Sequence, residues 1–413
     1  MRRRIAWFAV VAVALAAFLG GPSAVCAQQS VKLGAGDTLT ISGFINATLF
    51  NDRGLFTGGF GQGQNAEWAA QVQPGVDQGF SDADIRNTRI RFDFSAGPVL
   101  GRWAPKATLE ADFFGANNGA PPFGDEQPQL RARFAFVDLT DGRTTLRVGQ
   151  FWAPLFGEVP VSVTHLAFPL GYGATGMIGW RFPGVFLYHD LRPGKPLTVQ
   201  VQVALLKGSG AAASAADVTN GIGSGEASGK PQFEARFNLA KKFGRANWNG
   251  YVVYHVDNKD MNGTGVSGGN LNGWGIETGH NVTSGKLTVH GNYYFGHNLG
   301  QQFGHITQGA GSNAAAAQQG RIQGWGAWAQ AGYDFTTHWG FWFYYGMDQP
   351  NATKFQQQNG VALLRQLSHD TDALVRFRAG RYALGLEYFR AVTRWSTGVR
   401  TADQYALSVL YSL

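Results

Sequence analysis

The 413-residue sequence contains one cysteine, and only 15% of its residues are charged. One thiol cannot build a disulfide scaffold. After the N-terminus, no apolar run reaches the roughly 18 residues of a transmembrane helix, which argues against a helical membrane protein. Glycine is abundant, with 58 residues, but shows no G-X-Y period, which excludes collagen. The 13% aromatic content excludes an ordinary disordered chain. A large globular or β-rich protein remains.

The N-terminus has the order of an export signal. Three arginines at positions 2–4 precede an apolar segment at 5–21, and small residues follow it. This order predicts a secretory signal peptide over 1–27 rather than a retained membrane anchor, and it leaves 28–413 as one domain. Cleavage there removes the cysteine and three arginines, so the formal charge falls from +7 to +4. Without a further basic tract, the chain shows no electrostatic footprint for nucleic acid.

Apolar and charged residues alternate along the chain with a period of two, which is typical of a strand with one apolar and one polar face. The pattern is clearest in 89–94, 106–113, 131–134, 233–239 and 375–378. It predicts an all-β fold of about sixteen strands, near 38–50, 85–96, 103–114, 130–139, 144–152, 177–190, 197–207, 231–240, 246–256, 271–282, 286–298, 321–335, 337–349, 371–379, 382–394 and 403–412. Their usual length of about ten residues suits tilted strands that cross a bilayer.

The connections between these strands alternate in length. The short ones contain turn residues such as those at 141–142 and 284–285. The long ones, rich in Gly, Asn, Gln and Ala, span roughly 51–84, 115–129, 153–176, 208–230, 257–270, 299–320 and 350–370. Long loops at one end and tight turns at the other predict a transmembrane, antiparallel, up-and-down β-barrel. An even strand number places both termini on the periplasmic side.

Three features favour a membrane barrel over a soluble one. The polar faces contain opposed charges at high density, which would be costly in a closed dry core. Aromatic residues cluster near strand ends, as at Trp325 and Trp339, and amphipathic rings favour the headgroup level. The C-terminal segment 405–413 alternates aromatic or aliphatic residues to its last position.

That C-terminal segment resembles the sorting strand of Gram-negative outer-membrane barrels, although it ends in Leu413 where the family pattern usually has Phe. Residues 141–152 and 86–92 resemble trimeric porins, particularly the dicarboxylate-type (DcaP-like) and phosphate-selective groups. The resemblance implies a sixteen-stranded homotrimeric channel in the outer membrane. It also implies that the third long loop, 153–176, folds into the lumen as a constriction.

The alternation predicts which charged side chains line the lumen, because apolar residues of a membrane barrel face lipid. The predicted luminal residues are Arg89, Arg91, Asp93, Lys106, Glu110, Asp112, Arg131, Arg133, Arg147, Glu234, Arg236, Arg376, Arg378 and Glu387. Eight arginines and one lysine against five acids give this set a net charge of +4. Glu158, in the third long loop, is the predicted opposite pole of a transverse field. Alternatively, these charges only solvate a wide pore and pair with one another.

The leading functional prediction is passive diffusion of small hydrophilic solutes, with a mild preference for anions such as carboxylates or phosphate. The expected surroundings are outer-membrane lipid and lipopolysaccharide, and no cofactor or metal is expected. An adhesin or receptor with a closed lumen is the alternative. An enzyme is not predicted, because Ser162 and His165, three residues apart, do not define a triad. Asp82 and Asp84 could bind calcium, although a solvated turn is the simpler interpretation.

Overall fold

The structure is a computed structural model. It describes residues 29–34, 36–57, 68–73, 75, 79–115, 128–163, 171–208, 223–260, 270–308, 322–351 and 364–413. The predicted signal peptide and His165 lie outside these residues. The all-β prediction is confirmed: the chain forms a closed antiparallel barrel of sixteen strands. Within the described ranges, no helix is long and apolar enough to cross a membrane.

The elements follow one another in up-and-down order along the barrel wall. The strands are β1 (Gln29–Lys32), β2 (Thr38–Arg53), β3 (Phe56–Thr57), β4 (Trp68–Ala69), β5 (Gly79–Asp84), β6 (Arg89–Ser95), β7 (Ala104–Asp112), β8 (Arg131–Thr140), β9 (Thr144–Trp152), β10 (Arg181–Asp190), β11 (Leu197–Leu206), β12 (Gln232–Phe243), β13 (Ala246–Asp260), β14 (Asn270–Ser284), β15 (Leu287–His297), β16 (Gln323–Asp334), β17 (Trp339–Pro350), β18 (Arg365–Ala379), β19 (Tyr382–Trp395) and β20 (Gly398–Ser412). The short helix α1 (Ser224–Ala227) and the 3₁₀ turns η1 (Gly300–Gln302) and η2 (His305–Thr307) lie between strands.

The barrel closes where its first and last strands pair. One edge of β2 pairs with β20 from Phe44 opposite Ser412 to Arg53 opposite Asp403. Its other edge pairs with β6 and then β5, which together act as one interrupted barrel strand. The remaining fourteen barrel strands, β7 to β20, each pair with their sequence neighbours. Closure satisfies the backbone hydrogen bonds at both edges, which a sheet in lipid requires.

The barrel wall has an apolar outer face and a polar inner face. On β9, the side chain of Val148 is outward and Val148 is 53% exposed, whereas that of Arg147 is inward and only 13% exposed. On β8, the pairing with β7 shifts between Glu110 and Ala111. Because of this bulge, two consecutive residues, Arg133 and Phe134, both lie on the buried side. Before the bulge the odd-numbered residues of β8 face inward, and after it the even-numbered residues do.

The strand bounds differ from prediction at the extracellular ends. β18 begins at Arg365 rather than near 371, and β20 begins at Gly398 rather than near 403. The connection between β19 and β20 is therefore only residues 396–397, and the predicted alternation of long and short connections fails at this last position. Polar residues at these strand starts resemble loop sequence, but they continue the inward face of the barrel.

Residues between the long strands pack against inward side chains of the barrel. Tyr172 belongs to one core cluster with the inward Tyr344 and Phe389. Ile306, in η2, packs with Trp68 of β4 and with Trp395. These contacts between loop residues and inward side chains fill part of the barrel interior with packed protein.

Val148→Arg tests the assignment of the two faces. An arginine on the lipid face near the bilayer midplane costs about 2–4 kcal/mol, so we expect the free energy of unfolding from lipid vesicles to fall by that amount. Val148→Leu, which keeps the site apolar, is the matched control and should change the free energy by less than about 1.5 kcal/mol. Equal stability of the two variants would contradict an outward Val148.

Candidate functional site

Charged side chains on β6, β7 and β8 form a continuous ion-pair network. Arg91 donates to Asp93 at 2.7 and 2.8 Å. Asp112 accepts hydrogen bonds from Arg131 at 2.7 Å and from Arg133 at 2.9 Å. Glu110 joins these two groups, because it pairs with Arg133 at 2.7 Å and with Arg91 at 3.6 Å. The sequence prediction that these strands bring the arginines to one wall agrees with this arrangement.

Arg147, on β9, continues this basic wall. Its guanidinium lies 3.7 Å from the ring centroid of Phe136 and 4.1 Å from that of Phe151. Two of its nitrogens donate to Asp138 at 2.7 and 2.8 Å. Sequence reasoning missed Asp138, because the alternation set by Arg131 and Arg133 places it on the outer face, and only the bulge in β8 turns it inward.

Among the described residues, the half-buried Arg89 and the buried Arg181 form no ion pair with a carboxylate. Arg89 donates to Asn87 at 3.2 Å and lies 5.2 Å from the Phe44 ring. Arg181 stacks against Trp180 and Trp152 at 4.4 and 4.8 Å. Sequence reasoning missed Arg181, since it stands at a strand start among aromatic residues and outside any alternating run.

The other predicted basic residues form no ion pair with this network among the described residues. Lys106 is exposed and lies opposite Asp138 in register. Arg236, on β12, lies 3.7 Å from the Tyr251 ring. Arg376 lies 5.3 Å from the Trp342 ring, and Arg378 pairs with Asp334 at 3.3 Å.

A second set of inward residues is acidic and deeply buried. Sequence reasoning predicted Glu234 and Glu387. It missed several further members, among them Glu277, Asp348, Asp370 and Asp372. Asp370 falls at the end of the predicted loop 350–370 and Asp372 at the start of the predicted strand 371–379, although their i, i+2 spacing is a usable signal for one continuous strand. The predicted luminal net charge of +4 counts only the residues named from sequence. It includes neither these acids and Asp138 nor buried cations such as Arg181.

Residues 153–163, which we name the crossing segment, form hydrogen bonds with inward side chains of β12–β16 and β19. The Leu155 N–H donates to Glu234 of β12 at 2.7 Å. Arg236 donates to the carbonyls of Pro154 and Phe156 at 2.9 and 3.2 Å. Further along, Ser162 donates to Glu387 of β19 at 2.8 Å. The segment leaves β9 and is bound by strands from β12 to β19.

The middle of the crossing segment approaches β13 closely. A Cβ at Gly157 would overlap the hydroxyl oxygen of Tyr251, so only glycine fits there without displacement. The Glu158 N–H donates to the same hydroxyl at 3.1 Å, and that hydroxyl in turn donates to Glu277. The contact between Gly157 and the Tyr251 hydroxyl thus fixes the position of the crossing segment along the barrel axis.

Glu158 is bound by two strands on the far side of the segment. Its Oε2 accepts from Asn281 at 3.1 Å and lies 3.3 Å from His290 Nδ1. Burial raises the pKa of the Glu158 carboxyl, but the hydrogen bonds from His290 and Asn281 and the charges of His290 and Arg236 outweigh burial and hold this pKa below its usual value. Glu158 is therefore ionised at neutral pH.

The hydrogen bonds of Gln330 orient the His290 ring. Gln330 Oε1 accepts from the Val161 N–H at 2.6 Å, and its Nε2 donates to the Val161 carbonyl at 2.9 Å, which fixes the amide orientation. His290 Nε2, 2.9 Å from the same Oε1, must donate. His290 Nδ1, on the other side of the ring, faces Glu158 Oε2, so His290 joins Gln330 of β16 to the carboxylate of the crossing segment.

The possible calcium ligands at 82 and 84 are otherwise engaged. Asp84 accepts from the Arg86 side chain and main chain at 3.1 and 2.8 Å. Asp82 accepts from the Ala83 N–H at 2.7 Å. Within the described residues, no group of three metal-ligating side chains is present.

Solved structures with this fold match almost the whole chain. The outer membrane channel DcaP of Acinetobacter baumannii is 15% identical with a TM-score of 0.67, and the match covers 94% of this chain and 100% of that chain. An anion-selective porin from Comamonas acidovorans is 10% identical with a TM-score of 0.57, covering 91% and 100%. The trimer form of OmpT, an outer membrane protein of Vibrio cholerae, is 11% identical with a TM-score of 0.53, covering 92% and 100%.

Neither a family model nor a curated protein matches the sequence. At these identities the similarity to solved structures shows the fold. The chain therefore has the sixteen-stranded barrel fold of Gram-negative outer-membrane porins, the class to which the sequence resemblance pointed.

Asp112→Ala tests the buried network. Asp112 is fully buried and binds two arginines, so its removal leaves buried charges without a partner and should lower the free energy of unfolding by about 3–5 kcal/mol. Asp93→Ala is the control, because Asp93 is 31% exposed and its pair should contribute about 1 kcal/mol or less. Similar losses for both variants, measured by urea unfolding in vesicles, would contradict the buried network.

Acidification should release the crossing segment. A carboxyl with a lowered folded pKa stabilises its contacts above the ordinary value of 4.5, and this contribution is lost as the pH falls through the folded pKa. We expect protection of the 155–161 amides, corrected for intrinsic exchange rates, to fall between pH 5 and about 3. Glu158→Gln should show low protection throughout. A pH-independent protection factor in the wild type would contradict this function of Glu158.

Proposed function

We propose that this protein is an outer-membrane porin that lets small hydrophilic solutes diffuse passively, with a mild preference for anions such as carboxylates or phosphate. The barrel supplies a polar interior, and the network on β6–β9 lines one side of it. No step of covalent chemistry is proposed, and no cofactor is needed for diffusion through a charged lumen.

The observation that supports anion preference is the distribution of exposure among the luminal charges. Arg91, at 34%, and the partly exposed Arg236 and Arg376 can meet water. The acids that the sequence tally omitted on β14, β17 and β18 are at most 1% exposed. Buried carboxylates do not meet a permeating ion, so the charge available to solutes is more positive than the total.

The crossing segment is proposed as the constriction. Its hydrogen bonds to β12, β13 and β16, together with the bond from Ser162 to β19, support an inward fold of the predicted loop 153–176. A cavity of about 580 Å³ lies beside it and is lined by Glu158, Arg236, Asn238 and Gln200, among others. We propose this cavity as part of the solute path on the periplasmic side of the segment.

Export, location and assembly follow the same proposal. The predicted signal peptide over 1–27 would direct the chain to the outer membrane of a Gram-negative cell. A homotrimer is proposed by similarity to the trimer form of OmpT. No catalytic activity is proposed, since the neighbours compared are channels and outer-membrane proteins by their descriptions.

A receptor or adhesin with a closed lumen is the second candidate. It is favoured by the packing inside the extracellular half of the barrel, where Tyr172 and Ile306 are fully buried among inward side chains. Such packing is compatible with a narrow channel or with none. The two candidates differ in whether ions pass.

Planar-bilayer recordings of the purified mature protein test the proposal. Discrete openings in groups of three, with a reversal potential that favours chloride in a KCl gradient, are expected of an anion-preferring trimer. Openings that favour potassium would contradict the anion preference but keep the porin. A folded barrel without openings would support the receptor.

Arg91→Gln should lower the chloride-to-potassium permeability ratio by up to about fivefold, because one unit charge near a passing ion is worth about 1 kcal/mol in water-like surroundings. Lys241→Gln is the control, because Lys241 is an exposed residue on the outward face of β12. The reversal potential of that variant should match the wild type. An unchanged ratio in Arg91→Gln would exclude Arg91 from the solute path.

A further inference from the structure

The outward face of the barrel is apolar over most of its height, but not at the extracellular ends of β2, β19 and β20. On β10 and β11, for comparison, the outward residues include Val185, Leu187 and Leu205, all exposed. On β2, β19 and β20, three arginines and one aspartate occupy the outward positions. They are Arg53, Arg390, Arg394 and Asp403, and we name them the outer basic patch.

Strand register places these residues side by side. Asp403 lies directly opposite Arg390 on one side and Arg53 on the other. Arg394 is four residues further along the same face of β19, about 13 Å away at the usual strand rise. Two residues toward the periplasm, Tyr388 and Tyr405 lie opposite each other with ring centroids 5.1 Å apart.

The patch has an uncompensated positive charge. Asp403 Oδ1 accepts from Arg390 Nη1 at 3.2 Å and from the Tyr388 hydroxyl at 2.7 Å. Arg53 stacks over the Tyr405 ring at 5.5 Å, and Arg394 is exposed opposite Val399. Three arginines against one carboxylate give the patch a net charge of +2.

The position of the patch along the membrane normal indicates which part of the membrane surrounds it. A charge on the lipid face costs about 2–4 kcal/mol at the midplane and about 0–1 near the interfaces, so an arginine cluster belongs at the headgroup level. The tyrosines beneath it fit the aromatic girdle that marks this level. A dry contact with a second copy would leave Arg53 and Arg394 without a partner, at a high desolvation cost.

We propose that the outer basic patch binds the phosphate groups of lipopolysaccharide in the outer leaflet. Arginine suits phosphate because its planar fork can donate two hydrogen bonds to one group. Arg394 lies about 13 Å along β19 from Arg390, and Arg53 lies two strands away from β19. This spread favours a headgroup that has two phosphates over one that has a single phosphate. This inference rests on the proposed outer-membrane location, but not on channel activity.

Binding of diphosphorylated lipid A to the purified protein in detergent, measured by native mass spectrometry, tests the proposal. The Arg53→Gln/Arg394→Gln double variant leaves the Arg390–Asp403 pair intact. We expect its affinity to be about 25-fold lower, the product of about fivefold for each arginine at an anionic surface. Asp403→Asn, which removes the opposing carboxylate, should bind more tightly than the wild type.

Lys241→Gln, an outward variant on β12 near its periplasmic end, is the matched control and should bind like the wild type. Phosphatidylglycerol, with one phosphate, should bind more weakly and respond little to the double variant. Equal lipid A affinity in the double variant and the wild type would overturn the proposal. So would a shift to monomers with lipid affinity unchanged, which would assign the patch to a subunit contact. Conductance recordings are separate, so a closed but lipid-binding barrel would refute only the channel.

Discussion

The pairing of β2 with β20 is the constraint on which the other features of the molecule depend. In lipid, each unpaired backbone N–H or C=O costs several kcal/mol, so the sheet must have no free edge. Once the sheet is closed, each strand has one face toward lipid and one toward the interior, and the period of two in the sequence becomes a division between membrane and lumen. Val148 and Arg147 are neighbours in the chain and lie in these two different environments.

Burial then divides the luminal charges into two groups with different functions. Arg133 is buried and donates to both Glu110 and Asp112, which holds β7 and β8 together. Arg91 and Arg236 remain partly exposed, and Arg236 lies beside the crossing segment. The same residue types therefore stabilise the wall in one place and face the proposed solute path in another, so total charge is a poor guide to selectivity.

The sequence predicts the fold well because every strand of a membrane barrel alternates apolar and polar residues, and this alternation is unbroken in strands such as 89–94 and 233–239. It predicts the basic wall for the same reason. It fails where the alternation is interrupted or hidden. The bulge at Arg133 reverses the phase of β8 and brings Asp138 inward, and the polar strand start at 365–370 resembles a loop. Contacts of the crossing segment with His290 and Gln330 depend on three-dimensional closure, and no local pattern predicts them.

Thiol labelling of adjacent residues on one strand tests most directly whether the inward face lines a water-filled path. The predicted mature chain has no cysteine, so Arg91→Cys and Phe92→Cys each introduce a single thiol on β6. The thiol at 91 faces the interior of the barrel, and the thiol at 92 faces lipid. A charged, membrane-impermeant methanethiosulfonate reagent should reduce conductance in discrete steps in Arg91→Cys and leave Phe92→Cys unaffected. Modification of Phe92→Cys alone, or no effect on current in either variant, would contradict a lumen lined by the polar face.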